Sequence, residues 1–215
     1  VRQEGGKDTV ANRRIFFDFA IAPPKSVSVV ALYQDDRIVA LHNEAVRQTM
    51  LELEKFAETR VRKAGQNSER VTGNLVTACF RHDTSRELDP HLHTHCVVFN
   101  ATFDPVENRW KGLQPAGMYR AQSCATNFYR HELCKGLRTL GYAIENTARG
   151  FEIKGVPVSV ITRFSKRNQQ IDEAANQHLE IGSPVTNVGE LRKRIAHGNR
   201  RRKLKDSTAD RLRPS

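Results

Sequence analysis

Four of the chain's eight histidines lie in one short stretch, HDTSRELDPHLHTH, at residues 82–95. His93 and His95 stand two apart inside LHTHCVVFN, an apolar run with β-branched and aromatic residues that is typical of a buried strand. Alternate side chains of a strand share a face, so both imidazoles project to the same side. The preceding segment GNLVTACFRH predicts another strand and the polar stretch 83–90 a turn, which places His82 across the ladder from the pair.

Three imidazoles at this spacing are suited to bind a divalent metal ion, with Mg²⁺, Mn²⁺ and Zn²⁺ left open. Three protein ligands leave positions for water or a substrate oxygen, as in a catalytic site. The simpler interpretation is that these are strand and loop histidines with ordinary hydrogen bonds. We favour the metal site, because imidazoles on a buried face cost desolvation that a shared cation offsets. His91 shares the parity of His93 and His95 but directly follows Asp89-Pro90, so it is either a flanking residue or a substituted ligand.

A strand that carries a carboxylate precedes the histidine strands. Residues 13–22 alternate apolar side chains with a set that includes Asp18, and Pro23-Pro24 ends this strand. The later segments predict a short helix from Lys25, helices over 35–63, 117–140 and 159–179, a hairpin turn at 104–108, and short strands at 142–145 and 150–154. This order indicates an α+β fold with a central antiparallel sheet flanked by helices.

Three motifs in this order resemble the MobF family of conjugative relaxases, the histidine-triad (HUH-type) DNA nickases of the TraI/TrwC type. The first is FDFAIAPPKSVS at 17–28, similar to the family's strand and its "APKSVS" turn. The second is FRHDTSR through LHTH at 80–95, followed by VVFN, and the third is FEI at 151–153 with FSKRNQQI at 164–171. The resemblance covers about residues 13–180.

The resemblance implies a palm-like relaxase that nicks one DNA strand at a plasmid transfer origin and stays attached to the new 5′ end through a tyrosine. It also implies a metal ion held by three histidines, with Asp18 supporting the site by orienting a ligand. The alternative for Asp18 is a surface acid paired with Arg13 or Arg14. The implied partners are single-stranded or hairpin DNA and accessory conjugation proteins, and the implied location is the bacterial cytoplasm.

The family's nucleophilic tyrosines lie upstream of the aspartate strand, and no tyrosine of this chain occupies that position. Tyr129 falls in an apolar series with helical spacing, so it is expected in the core. Packing is also the expectation for Tyr33 and Tyr142. We therefore expect a relaxase domain over residues 1–190 that lacks its N-terminal tyrosine segment and is inactive without it, followed by a basic segment over 191–215.

The net charge of +11 is concentrated near the C-terminal end. Eight Lys or Arg residues and no acid lie between Arg192 and Lys205, which leaves +3 for the rest. Such a block is either a solvated tail or a segment that binds phosphates. Candidate phosphate contacts flank the metal motif or lie in this block: Lys25, Arg81, Arg86, Lys111, Arg200, Arg201 and Arg202. Trp110 either stacks on an unpaired base or caps the core.

Composition sets the broad class. The 215 residues are 38% apolar, which permits a substantial core, and contain no apolar run long enough to span a bilayer. Four cysteines without a C-x-x-C pair are expected to be free thiols, with Cys79 and Cys96 buried. The leading hypothesis is a metal-dependent, site- and strand-specific DNA nickase. The alternatives are a DNA-binding fragment without catalysis and a hydrolase that uses a metal-bound hydroxide.

Overall fold

The computed structural model describes residues 2–4, 7–9, 14–148, 150–180 and 188–198. Strands in these ranges are β1 (Arg2–Glu4), β2 (Lys7–Thr9), β3 (Phe16–Ile21), β4 (Glu58–Lys63), β5 (Gln66–Val71), β6 (Thr77–Thr84), β7 (Pro90–Phe99), β8 (Thr102–Asp104), β9 (Arg109–Lys111), β10 (Leu113–Gln114), β11 (Ile144–Thr147) and β12 (Gly150–Ile153). Helices are α1 (Lys25–Tyr33), α2 (Arg37–Glu54), α3 (Ala116–Thr139), α4 (Val158–Arg163), α5 (Lys166–Glu180) and α6 (Val188–Gly198). In the described residues no helix is both long and apolar enough to cross a membrane.

Internal contacts divide the chain into two compact units. The first unit is formed by Val1–Ile21, Ala45–Phe80 and Thr94–Tyr129. The second unit is formed by Ala22–Glu44, Arg81–His93 and Arg130–Ser215. The predicted separate basic segment from residue 191 remains a prediction, and its boundary falls inside α6.

The sheet that carries the histidines has the strand order β3-β7-β6. β3 and β7 are antiparallel, with Phe17 opposite Val98 and Ile21 opposite Thr94. Alternate positions of β7 are buried, and Leu92 and Val98 are fully inaccessible to solvent. Helices combined with antiparallel strands confirm the α+β prediction.

The core face of β3 lies opposite the face that carries Asp18. Phe17 and Phe19 are both 5% exposed, and both rings contact Tyr119 of α3, at centroid distances of 6.4 and 5.5 Å. Edge-to-face and tilted ring packing of this kind adds to the stabilisation from burial. The apolar side of β3 therefore anchors the strand and leaves its other side for polar chemistry.

Helix α3 confirms the helix predicted over 117–140 almost to its ends. Tyr129 is 2% exposed, as expected for the buried stripe. Gly141 follows the helix with a φ of +92°, and the amide of Tyr142 donates to the carbonyl of Leu137. This αL residue ends the helix at low cost because glycine has no Cβ.

The predicted helix over 35–63 is wrong in its second half. Helix α2 ends at Glu54, and β4 and β5 then form an antiparallel hairpin. Ala57 and Val61 are four apart, which fits a helix, but Thr59 and Val61 are both buried, which follows the two-residue period of a strand. Tertiary burial of this β-branched alternation overrides the helical interpretation.

Two other sequence expectations change. The predicted helix over 159–179 is divided into α4 and α5, since Phe164 leaves helical geometry at φ −96° and ψ 19°. Cys96 is buried as expected, but Cys79 is exposed, with its Sγ 3.6 Å from that of Cys96. Burial raises the pKa of the Cys96 thiol, so it stays protonated.

The β4–β5 hairpin predicts whether a substitution in its turn raises or lowers the stability of the protein. Lys63 pairs with Gln66, and Ala64 and Gly65 between them have φ of 51° and 76°, as in a type I′ turn. We expect Gly65→Ala to lower the free energy of unfolding by about 1 kcal/mol, because a Cβ is strained at positive φ. Denaturant unfolding measures this. In a helix the same substitution would stabilise, so increased stability would contradict the hairpin.

Candidate metal centre

Strand β7 presents its histidines on the side opposite the buried residues. His91, His93 and His95 are partly exposed, while Leu92 and Cys96 between and beside them are buried. Strand alternation alone places the three imidazoles on one face. The structure thus places His91, His93 and His95 on the same face of β7, as their spacing predicts.

His95 is oriented by the neighbouring strand. Its Nδ1 lies 2.9 and 2.8 Å from the two carboxylate oxygens of Asp18. A carboxylate can only accept here, so Nδ1 carries the hydrogen and donates it. The alternative partner Arg14 lies instead over the Phe17 ring, with Cζ 5.6 Å from the centroid, and Arg13 is outside the described residues.

His93 is oriented by its own strand. Its Nδ1 lies 2.8 Å from the backbone carbonyl oxygen of His91, which again can only accept. The His91 ring stacks on that of His93 at a centroid distance of 4.7 Å. His91 therefore supports His93 through its carbonyl and its ring, a function that sequence spacing does not indicate.

His82 of β6 comes close to His93, as the predicted hairpin requires. The two ring centroids are 5.3 Å apart, with planes inclined by 32°. Within the described part of the chain, no three His, Cys, Asp or Glu side chains are already arranged as a metal site. The set of His82, His93 and His95 accordingly stays a prediction.

The donor chemistry of the ring nitrogens fits a metal ion. A neutral imidazole that donates through Nδ1 has its lone pair on Nε2, and this is the usual state of a metal-ligating histidine. His93 and His95 are both held in that tautomer, one by a carbonyl and the other by a carboxylate. These residues would therefore suit a divalent cation.

A buried histidine, His42 of α2, was missed from the sequence. It is fully inaccessible, and burial lowers its pKa to about 4, with the positive charge of Arg81 adding to the fall. His42 is therefore neutral near pH 7. Its signal was its spacing from Ile38 and Val46, which places it on the buried stripe of the helix.

Both of the predicted phosphate-binding lysines already bind protein oxygens. Lys25 donates from Nζ to the carbonyl of Pro90 at 2.9 Å, and burial lowers its pKa against the opposing charges of Asp89 and Glu152. Lys111 donates from Nζ to Oε1 of Glu107 at 2.6 Å and to Oδ2 of Asp104 at 3.3 Å.

The predicted arginines are placed differently. Arg81 is exposed on β6, with its Nε 3.5 Å from Oδ1 of Asp83, and strand alternation directs it away from the face of His82. Arg86 is exposed in the turn before β7. Arg200, Arg201 and Arg202 lie outside the described residues. Trp110 is 60% exposed and meets Phe103 edge to face, so it does not cap a core.

Comparisons with known proteins place this arrangement in a class. The family model described as TrwC relaxase matches residues 2–215. The multifunctional conjugation protein TraI of Escherichia coli K12 is 36% identical over 193 residues, which is 84% of this chain. The chain spans 11% of the length of that relative.

Solved structures of the conjugative relaxase TrwC with oriT DNA are also similar. The copper-bound complex has a TM-score of 0.81 at 33% identity, covering 93% of this chain and 67% of that one. The metal-free complex has a TM-score of 0.83 at 31% identity, covering 97% and 73%. The fold and the histidine-bearing sheet define the class of conjugative relaxases. This chain belongs to the TrwC relaxase family, which confirms the resemblance inferred from its motifs.

The orientation of the two rings generates a prediction for the metal-free chain. At alkaline pH, ¹⁵N NMR should show the Nδ1–H tautomer for both His93 and His95. Asp18→Leu should shift His95 toward a mixture of tautomers, because its fixed acceptor is lost. His93 is the internal control, since its acceptor is a backbone carbonyl. An unchanged His95 tautomer in the variant would show that Asp18 does not orient it.

Proposed function

We propose that this chain is the metal-binding core of a site- and strand-specific DNA nickase that initiates conjugative transfer at a plasmid transfer origin. Family membership supports the proposal, as do relatives solved with oriT DNA, two of them in metal-bound forms. The observation that carries it is that His93 and His95 share one face of β7 with Nδ1 of each held by an oxygen. The candidate ions are Mg²⁺, Mn²⁺ and Zn²⁺.

His82, His93 and His95 would hold the ion through their ring nitrogens. When bound, a divalent cation neutralises charge on the scissile phosphate and polarises it toward attack. The carbonyl of His91 and the carboxylate of Asp18 keep two of the rings from rotating. Because these contacts exist before substrate arrives, little reorganisation is needed in the transition state.

Asp18 would also raise the basicity of the His95 ring nitrogen that faces the ion. A carboxylate that accepts the distal N–H of a ligand histidine has this effect, and its removal typically costs about 10- to 100-fold in metal affinity or activity. Asp18 is therefore a positioning residue in the proposal, as the sequence interpretation had it.

The attacking tyrosine in this proposal is not among the chain's four tyrosines. Tyr129 is buried, and the hydroxyl of Tyr142 donates to Asp35. Tyr33 stacks on Phe164 at 6.3 Å. Tyr119 packs on the core face of β3, on the side opposite Asp18.

The proposal includes contacts between basic residues and the DNA phosphates. We assign phosphate contacts to Arg86 beside the histidine motif, to Arg81 on the edge strand β6, and to Arg200, Arg201 and Arg202. Lys25 and Lys111 are left out because protein oxygens already occupy their ammonium groups.

Fluorescence anisotropy with single-stranded and hairpin oligonucleotides, for the full chain and for one ending at Gly198, measures how much of the DNA affinity comes from the basic tail. A salt dependence unchanged by this truncation would contradict the tail assignment. The same proposal gives the bacterial cytoplasm as the location of the protein and accessory conjugation proteins as its partners.

The metal proposal predicts a specific loss on substitution of the histidine strand. His93→Ala should reduce the affinity for Mn²⁺ or Zn²⁺ severely, since it removes one of three ligands. His178→Ala on the exposed side of α5 is the matched control and should bind like the wild type. Calorimetric titration decides the matter. Equal binding by the wild type and the His93 variant would remove the three-histidine site.

The nickase proposal predicts DNA binding without a covalent product. The chain should bind single-stranded DNA carrying a transfer origin but form no adduct, whereas a chain extended with the family's upstream tyrosine segment should form one. Denaturing electrophoresis with labelled DNA distinguishes the two. An adduct formed by this chain would mean that one of the four tyrosines is the nucleophile.

A further inference from the structure

The start of β7 is held by a compact turn immediately before it. Ser85 accepts the amides of Glu87 and Asp89 on its hydroxyl at 3.2 and 3.1 Å, and its own amide donates to the carbonyl of Asp89 at 2.8 Å. Leu88 adopts a φ of +59°. A non-glycine residue in this region is held there by its surroundings, so the turn directs the Asp89 side chain inward.

The Asp89 carboxylate is buried and meets the beginning of a helix. Its side chain is 2% exposed, and Oδ2 accepts the backbone N–H of Lys166, the first residue of α5, at 3.0 Å. The Lys166 ammonium lies 3.3 Å from Oδ1. An anion at a helix N-terminus is stabilised by the unpaired amides and the helix dipole. This contact explains why α5 begins as a separate helix at Lys166.

A second ammonium group binds the next residue of the chain. Lys25 Nζ donates to the Pro90 carbonyl, the first of β7, at 2.9 Å. Lys25 begins α1, whose following amide, that of Ser26, donates to Glu152 at 2.9 Å. The beginnings of two helices therefore hold two consecutive residues, Asp89 and Pro90.

These contacts lead directly to the His93 ring. The Pro90 carbonyl belongs to the peptide that joins Pro90 to His91. The carbonyl of His91 in turn accepts from His93 Nδ1 at 2.8 Å, and the His93 ring lies 5.3 Å from that of His82. Rotation of the first peptide of β7 would move the carbonyl that orients His93.

Stability alone does not account for charged groups at this position. Burying a carboxylate or an ammonium costs desolvation, and apolar residues of similar size often stabilise a fold equally well. A charge-assisted hydrogen bond adds direction and a short, fixed distance. That property matters for a peptide whose orientation is passed to a ligand ring.

We propose that Asp89 and Lys25 are positioning residues for the histidine site, fixing the first peptide of β7 and through it the orientation of His93. The inference rests on the proposed metal function for its consequence, but the orientation itself exists without metal. Asp89 acts together with the amide and ammonium of Lys166. None of these residues needs to touch the ion.

The test compares two conservative variants with a matched control. Asp89→Asn keeps an acceptor for the Lys166 amide and removes the charge, and Lys25→Met keeps the stem and removes the donor to Pro90. The control is Asp35→Asn, since Asp35 is another carboxylate of the second unit that accepts an amide, that of Arg37, and a hydroxyl, that of Tyr142. All three variants are expected to have a lowered Tm.

Two readouts separate positioning from general stability. At a temperature where every variant is folded, ¹⁵N NMR of the metal-free chain should show shifted His93 ring nitrogens in Asp89→Asn and Lys25→Met only. Calorimetry with Mn²⁺ should show affinity reduced by about 10- to 100-fold in these two and unchanged in the control. Should one variant fail to fold, the other still decides.

The outcomes distinguish this inference from the proposed function. Unchanged His93 signals in a folded Asp89 or Lys25 variant would overturn the positioning role, as would equal metal losses in the Asp35 control. Equal Mn²⁺ binding by wild type and His93→Ala would instead overturn the metal site. In that case the NMR comparison would still test whether Asp89 and Lys25 orient the ring.

Discussion

An imidazole presents its lone pair in a fixed direction only when its other nitrogen is held, and this constraint governs the β7 region. His93 and His95 each donate through Nδ1 to an oxygen, supplied by a backbone carbonyl in one case and by Asp18 in the other. Without these acceptors the rings would exchange between tautomers and rotamers, and binding a cation would have to pay for ordering them. The geometry of the neighbouring backbone is therefore part of the site.

The same strand serves stability and chemistry on opposite faces. Leu92, Cys96 and Val98 are fully buried on one side, and the histidines occupy the other. The two faces of β3 differ in the same way: Phe17 and Phe19 pack in the core, and Asp18 on the other face contacts His95. Because the period of a strand is two, a slip of one residue between β3 and β7 would bury the polar set and expose the apolar one. The register that stabilises the first unit is thus the register that aligns Asp18 with His95.

The sequence was informative where one periodicity and one burial pattern coincide. Strands β3 and β7 and helix α3 follow directly from alternating or helical apolar positions, and the shared parity of His93 and His95 follows with them. The hairpin β4–β5 was missed because Ala57 and Val61 fit both periods, and only the burial of Thr59 decides between them. Local pattern cannot decide such a case, since packing against other segments selects the conformation.

Contacts between residues that are distant in the sequence could not be predicted from it, for a different reason. The Lys25–Pro90 hydrogen bond spans 65 positions and that between Lys166 and Asp89 spans 77. Closing such loops costs chain entropy before any contact is made, so these bonds form only when the second unit is assembled. The orientation of His93 is consequently coupled to folding of that unit. Local opening at the start of α1 or α5 would loosen the ring without displacing any residue of β7 from its strand.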